Sequence, residues 1–187
     1  MMQSTSSSPY RLRGYVVPAR SIVDIRSTAQ TAREIMRLGD RPPDLEEFLE
    51  SLSTYGITVD VQDGHEFMLA GVEAACNPET ATIALTLDTY NAARRNDPRT
   101  RFTIFHELGH FILSHSKAMG RQNIEPRPWI DSEWQADQFS AEMIMPLDTI
   151  KRHGLTSPQK LASFCGVSTP AASYRLNQLM RKGALKG

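Results

Sequence analysis

The sequence has few cysteines, no net charge and no long apolar run, and each shortage argues against a class of protein. Its two cysteines, Cys76 and Cys165, are far apart and lack the spacing of a metal or redox motif, so we do not expect a disulfide scaffold. The 21 basic and 21 acidic residues cancel, so the whole chain has no strong field toward nucleic acid or a membrane surface. No apolar run has the length of a membrane span, and the first 20 residues lack the apolar region of a secretory signal. We therefore expect a cytoplasmic protein without a membrane partner.

The length of 187 residues and the hydrophobic content of 40% fit one domain with a small appendage. We expect a flexible, basic N-terminal tail over residues 1–20, in which arginines such as Arg13 are solvated. The main domain then spans residues 21–150. Residues 151–187 form a small helical unit that packs on it.

The apolar pattern of the main domain predicts helices, then a sheet, then further helices. Helical periodicity predicts one helix over residues 21–38 and a second one that starts after Asp44. Alternation and β-forming residues predict strands at 57–61, 67–75 and 82–87. Because short turns join these strands, we expect a small antiparallel sheet. This layout is α+β, with the sheet covering one side of the helix that follows it.

Two histidines and a glutamate interrupt the apolar helical pattern between Phe102 and Leu113. His106 and His110 are one turn apart and share a helix face, where two imidazoles can bind one zinc ion. Glu107 lies beside them and can reach a water bound to that metal. The alternative is a pair of hydrogen-bonded histidines on an ordinary amphipathic helix. The metal is favoured, because polar groups in an apolar run are costly to desolvate without a partner.

A later helix offers the third ligand that a catalytic zinc ion requires. This helix is predicted to begin at a cap formed by Ser132 or Asp131 and to end before Pro146. Glu133 in its first turn is the candidate third ligand. Asp137, one turn on, can accept a hydrogen bond from the free ring nitrogen of one histidine and fix its tautomer. The alternatives are an acid favoured by the helix dipole and a solvated helix face.

The chemistry of a zinc hydrolase also needs a second electrophile, which the sequence does not single out. Tyr90, Arg101 and His115 are the candidates. His115 follows His110 by five residues and is therefore expected off the metal face, near the end of the helix. The strand at 82–87 is a candidate edge for pairing with an extended peptide.

The two motifs, taken together, resemble the ImmA/IrrE metallopeptidase-like family. The resemblance is carried by residues 101–110, RFTIFHELGH, and by residues 133–146, EWQADQFSAEMIMP. It extends over about residues 45–180, and it is specific because two separate motifs agree in order and spacing.

This resemblance implies a zincin-like fold and a gluzincin-type site. In such a site His106, His110 and Glu133 bind Zn²⁺, with Mn²⁺ as the alternative metal, and Glu107 is the catalytic base. The resemblance further implies an intracellular endopeptidase that takes part in transcriptional regulation or stress response. Its protein substrate would be a helix-turn-helix repressor, cleaved to relieve repression.

The C-terminal unit supports a rival interpretation. A short helix from Ser157, a turn at Gly166 and a helix capped by Ser168 form a helix-turn-helix-like pattern, and Asp148 is the only acid after Pro146. The alternatives are therefore a DNA-binding regulator, or an adaptor whose metal is structural. We expect a docking unit with weak DNA contact at most, because the first turn of its second helix is poor in side chains that read bases.

Overall fold

The structure, a computed structural model, describes residues 10–63, 72–115 and 125–185. Its architecture is α+β, as the sequence predicts. No helix within these residues is both long and apolar enough to cross a bilayer. The helices are α1 (Ile22–Ile35), α2 (Leu45–Ser51), α3 (Leu87–Arg94), α4 (Pro98–Ile112), α5 (Ser132–Ile144), α6 (Leu147–Arg152), α7 (Pro158–Cys165) and α8 (Thr169–Arg181), and the strands are β1 (Thr58–Gln62), β2 (Ala74–Asn77) and β3 (Thr82–Thr86).

The three strands form a mixed sheet in the order β1-β3-β2. β2 pairs with β3 antiparallel, as predicted, but β1 pairs with β3 in parallel, so the expectation of a wholly antiparallel sheet was wrong. The reason is that β3 lies between β1 and β2, which are therefore not joined as a hairpin. It also follows that β3 is central, and the expectation that residues 82–87 form an edge was wrong. Most of the strand predicted at 67–75 lies outside the described residues.

The helix α3 was not predicted. Leu87, assigned to the third strand, instead begins this helix, and Thr86 caps it by accepting a hydrogen bond from the backbone N–H of Thr89. A helix of eight residues after a strand gives too few turns for a clear apolar period.

The two helices that carry the metal motifs, α4 and α5, each begin at a residue whose side chain caps the helix. Asp97 caps α4 by accepting from the N–H of Thr100, with Pro98 in its first turn. Asp131, the second of the two caps considered, begins α5 by accepting from the N–H of Glu133. The helix ends before Pro146, as predicted.

The main core forms where α5 packs against α4 on one side and α1 on the other. The contact between α4 and α5 is close at Gly109. A Cβ atom at this position would lie 3.1 Å from Cδ1 of Phe139 and 3.3 Å from Cα of Ala136. The missing side chain therefore lets the two helices approach at the level of the motif histidines. β2 contacts the other side of α4, so the sheet covers that helix as expected.

The described part of the N-terminal tail lies along the start of α5. Val16 pairs with Asp131 in an antiparallel bridge, and Val17 is buried and donates its N–H to the carbonyl of Ile130. Both carboxylate oxygens of Asp131 also accept from this segment, from the hydroxyl of Tyr10 and the N–H groups of Arg13 and Gly14. Residues 10–20 thus differ from the flexible, solvated arm that the sequence predicted. Residues 1–9 lie outside the described part of the chain.

The C-terminal unit is tied to the main body through α8. Arg175 is only 2% exposed, pairs with Glu142 at 2.7 Å and donates to the carbonyl of Met145. Gln178 donates to the side chain of Gln138 on α5. The unit is therefore held by buried polar contacts as well as by its apolar residues.

Candidate metal centre

Helices α4 and α5 bring together the three residues predicted to bind the metal. Nε2 of His106 lies 3.1 Å from Nε2 of His110 and 3.2 Å from Oε2 of Glu133. Nε2 of His110 lies 3.4 Å from Oε1 of Glu133. One ligand atom from each residue thus lies within 4.8 Å of the others, a group that can hold one metal ion.

The tautomer of His106 is set by Asp137, as the sequence predicted for one of the histidines. Nδ1 of His106 lies 3.0 Å from Oδ1 of Asp137, and a carboxylate only accepts, so this nitrogen carries the proton. The lone pair of His106 that remains for a metal is therefore on Nε2. Oδ2 of Asp137 accepts from the guanidinium of Arg13 at 2.7 Å.

The cluster fits a transition-metal ion. Two imidazole nitrogens and a carboxylate converge on one point, which would be unfavourable without a cation or a proton between them. Two nitrogen ligands and one oxygen ligand suit zinc and leave a coordination position open for a water or substrate. The donor set therefore agrees with the metal dependence that the sequence predicts.

Protons compete with a metal for these ligands. In the metal-free protein, burial lowers the pKa of His106, but hydrogen bonds to Asp137 and Glu133 outweigh it and raise the pKa to about 9. Burial and the neighbouring charge of His106 lower the pKa of His110 to about 4. A single proton on His106 can thus take the place of the cation near neutral pH, while His110 stays neutral.

Glu107 lies next to the metal ligands on α4, on the side covered by β2. Burial raises the pKa of its carboxyl to about 7, and the charge of Glu133 adds to this effect. His106 and a hydrogen bond from the backbone N–H of Cys76 oppose it. A carboxyl with a pKa near neutrality is well matched to accepting and returning a proton.

The structure does not bring Tyr90 or Arg101 to the cluster. Tyr90 lines a groove with residues of α2 and β1, such as Leu49 and Val59. Arg101 is buried near the start of α4, where it donates to the carbonyl of Pro43 and the side chain of Asn96. The structure therefore does not group either side chain with the three candidate ligands.

His115 is off the metal face, as predicted, but it directly contacts a metal ligand. Its Nδ1 lies 3.0 Å from Nδ1 of His110, and its Nε2 lies 3.1 Å from Oε1 of Gln135. The ring is buried, and burial lowers its pKa. Both of its ring nitrogens have protein partners, and His115 lies behind His110 as seen from the cluster.

Tyr15 is a neighbour of the site that the sequence did not reveal. Its hydroxyl donates to the carbonyl of His115 at 2.7 Å. Burial raises the pKa of its phenol, and the charge of Glu133 adds to this effect. The N-terminal segment can run close to Glu133 because residue 14 is a glycine. A Cβ atom at Gly14 would lie only 2.8 Å from Cγ of Glu133. No motif in the tail signals these contacts.

A histidine pair and an adjacent glutamate on one helix, a glutamate from a second helix and a small covering sheet define a zincin-like metal centre. Residues 89–177 match the family model of the IrrE N-terminal-like domain, Peptidase_M78, so this part of the chain is similar to that family. The resemblance predicted from the sequence is thereby confirmed.

The fold also has a counterpart among solved structures. A Mycobacterium tuberculosis transcriptional regulator superposes with a TM-score of 0.51 and 14% sequence identity. The match covers 81% of this chain and 46% of that one, so the chain spans less than half the length of the regulator. At this identity the likeness concerns the fold alone. No curated protein sequence is significantly similar to the chain.

Proposed function

We propose that the protein is a zinc-dependent endopeptidase that cleaves a specific protein partner. The observation that carries this proposal is the grouping of His106, His110 and Glu133 with Glu107 beside them. A purely structural metal site has no use for an adjacent carboxyl whose pKa is about 7. The match of residues 89–177 to the model of a peptidase family supports the same reaction.

Each residue of the site would have a separate role in peptide hydrolysis. A zinc ion held by the three ligands would supply a Lewis acid and lower the pKa of a water. Glu107 is placed to take a proton from the attacking water and to return it to the leaving amine. Asp137 holds the ring of His106 in the orientation that points Nε2 into the site.

An extended substrate segment would lie beside the sheet strand nearest the site. That strand is β2, which contacts α4, whereas β3 is flanked by the two other strands. We therefore place the peptide along β2, where backbone pairing can fix its direction relative to Glu107. This geometry favours a segment that can adopt an extended conformation.

We infer that the substrate is a helix-turn-helix repressor and that its cleavage relieves repression. The basis is the ImmA/IrrE resemblance, now supported by the match of residues 89–177. We expect the substrate range to be narrow, with slow or no digestion of unrelated unfolded proteins such as casein.

The rival DNA-binding function has little support from the C-terminal unit. Arg175, the first basic residue of α8, is buried in its pair with Glu142 and cannot reach a base edge. The first turn of α8 carries small side chains, such as Ala171 and Ala172. We expect weak, salt-dependent DNA contact at most, which an anisotropy titration with the protein's own promoter would measure.

The test is co-incubation of the zinc-loaded protein with helix-turn-helix repressors from the same organism, beginning with any that a neighbouring gene encodes. Cleavage is followed by mass spectrometry, which also locates the cut. The variant Glu107→Gln keeps the shape of the side chain but cannot accept a proton, and we expect a loss of about 10²- to 10⁴-fold. Glu79→Gln is the matched control, because Glu79 is an exposed acid in a turn. Near-wild-type cleavage by Glu107→Gln would contradict the proposed role.

A further inference from the structure

Behind His110, a chain of hydrogen bonds begins at a buried glutamine whose orientation is fixed. The side-chain nitrogen of Gln135 donates to the carbonyl of Pro18 at 2.9 Å and to the carbonyl of Trp129 at 2.7 Å. Carbonyl oxygens only accept, so the NH₂ group must face them. The amide oxygen of Gln135 consequently points the other way, toward His115. Gln135 is fully buried, so bulk solvent does not compete for these hydrogen bonds.

This oxygen determines which nitrogen of His115 carries the proton. Oε1 of Gln135 lies 3.1 Å from Nε2 of His115 and can only accept, so Nε2 is the donor. In a neutral imidazole the other nitrogen, Nδ1, then has the lone pair. That lone pair lies 3.0 Å from Nδ1 of His110.

The lone pair on Nδ1 of His115 in turn determines the tautomer of His110. Nδ1 of His110 faces an acceptor, so it carries the ring proton of His110. The lone pair of His110 is therefore on Nε2, the nitrogen that faces His106 and Glu133. The opposite tautomer would direct an N–H group at the position of the metal.

The two histidine ligands thus have different partners. His106 is backed by the carboxylate of Asp137, whereas His110 is backed by an uncharged imidazole. Within the part of the chain that the structure describes, no carboxylate is hydrogen-bonded to Nδ1 of His110. A neutral acceptor can select the tautomer there without adding a negative charge to the buried site.

We propose that His115 and Gln135 are positioning residues of the metal centre, which fix the tautomer and ring orientation of His110 for metal binding. The chain runs from the backbone carbonyls of Pro18 and Trp129 through Gln135 and His115 to His110. One of its two anchors, Pro18, lies in the N-terminal segment, so that segment contributes to metal binding. This inference rests on the proposed metal centre, but it does not depend on peptidase activity.

The wild-type protein allows a direct test by ¹⁵N NMR of the histidine rings. We expect His110 and His115 to be protonated on Nδ1 and Nε2, respectively, in the zinc-loaded protein. We also expect a coupling across the hydrogen bond between the two Nδ1 atoms. A proton on Nδ1 of His115, or the absence of that coupling, would overturn the proposal without any variant being made.

Variants provide a second test, with zinc affinity measured by competition with a chelator. His115→Phe keeps a ring but removes the acceptor, and we expect zinc to bind roughly 10- to 100-fold more weakly. Gln135→Met should weaken binding in the same direction but less, because His115 keeps its acceptor and loses only its orientation. In the double variant the two losses should not add, because both act through the ring of His110.

The matched control is Gln138→Met on the same helix. Gln138 is also buried and also makes a side-chain hydrogen bond, to Gln178, but it has no link to the metal ligands. We expect its zinc affinity to stay within about twofold of wild type. Circular dichroism confirms that each variant is folded.

Unchanged zinc affinity in a folded His115→Phe protein would reject the proposal, and so would equal losses in Gln135→Met and Gln138→Met. Because zinc affinity is measured without substrate, a failure here is distinct from a failure to cleave the repressor.

Discussion

Arg13 and Asp137 are 124 positions apart in the sequence, and the guanidinium of one donates a 2.7 Å hydrogen bond to the carboxylate of the other. The same carboxylate holds Nδ1 of His106 at 3.0 Å. The N-terminal segment therefore reaches the metal ligands by two routes, through Asp137 to His106 and through Gln135 to His110.

The two residues of this ion pair should differ in their importance for metal binding. Asp137→Asn should weaken zinc binding roughly 10- to 100-fold, because the amide is a poorer acceptor for the ring proton of His106. Arg13→Ala should have an effect below about tenfold, since the Arg13 side chain is 52% exposed and such pairs are weak. Chelator competition measures both. A larger loss in Arg13→Ala than in Asp137→Asn would contradict this order.

Metal content should depend on Glu133. We expect the protein to bind about one divalent ion per chain, and Glu133→Ala to lose most of it, because two imidazoles alone hold zinc weakly. Elemental analysis after dialysis measures the content, with Glu79→Ala as the surface control. Full occupancy in Glu133→Ala would exclude Glu133 as a ligand.

Activity should decline as the medium becomes acidic. The proposed base works in its ionised form, and burial raises the pKa of Glu107 to about 7 in the metal-free protein. A bound cation favours the carboxylate, so the acid limb of kcat/KM should fall at or below this value. The profile is measured with a peptide from the cleaved segment of the repressor. Activity that increases toward acidic pH would indicate that Glu107 acts first as an acid.

Zinc binding should release a proton. His106 has a pKa of about 9 in the metal-free protein, so it is mostly protonated near neutral pH, and its lone pair becomes available only when that proton leaves. At about pH 8, where Glu107 is already largely ionised, we expect His106 to contribute roughly one proton per zinc, and ionisation of a zinc-bound water would add to this number. Calorimetry in buffers of different ionisation enthalpy measures this number. No dependence on the buffer would mean that His106 is neutral before the metal binds.

Arg175 should matter for stability. Its removal leaves the buried carboxylate of Glu142 with Arg26 as its remaining charged partner, and breaking a buried pair in this way costs about 3–5 kcal/mol. Urea unfolding of Arg175→Ala measures the loss in the free energy of unfolding. Arg181→Ala on the exposed face of α8 is the control and should change this free energy by less than about 0.5 kcal/mol. Equal stabilities in the two variants would place Arg175 outside the folding core.

The grouping of the candidate metal ligands could be predicted from the sequence because helix geometry is local. His106 and His110 are one turn apart, and any α-helix through them brings their rings together. The choice of Glu133 needed the additional knowledge that zinc takes a third ligand, together with the resemblance of two motifs. The class of the fold followed similarly from the order of apolar patterns.

The residues that hydrogen-bond to those ligands could not be predicted, since their positions depend on tertiary contacts. His115 lies past the end of α4, and the helical period that places His110 says nothing about its direction. The partners of Gln135 are two backbone carbonyls, and a backbone carbonyl carries no sequence signal. The parallel pairing of β1 with β3 depends on which strand enters the middle of the sheet, and alternation alone does not determine it.

The absence of a side chain at Gly109 affects the spacing of the two helices that carry the candidate ligands. Ligands from α4 and α5 converge because the backbone of Ala136 can approach Gly109, and a methyl group there would press on Cα of Ala136 at 3.3 Å. Packed helices resist such pressure by moving apart. A wider gap would lengthen the reach from Glu133 to the two imidazoles beyond the bond lengths of about 2.0–2.2 Å that zinc prefers. A substitution at Gly109 would therefore change the geometry of the candidate metal site, although Gly109 is not one of its ligands.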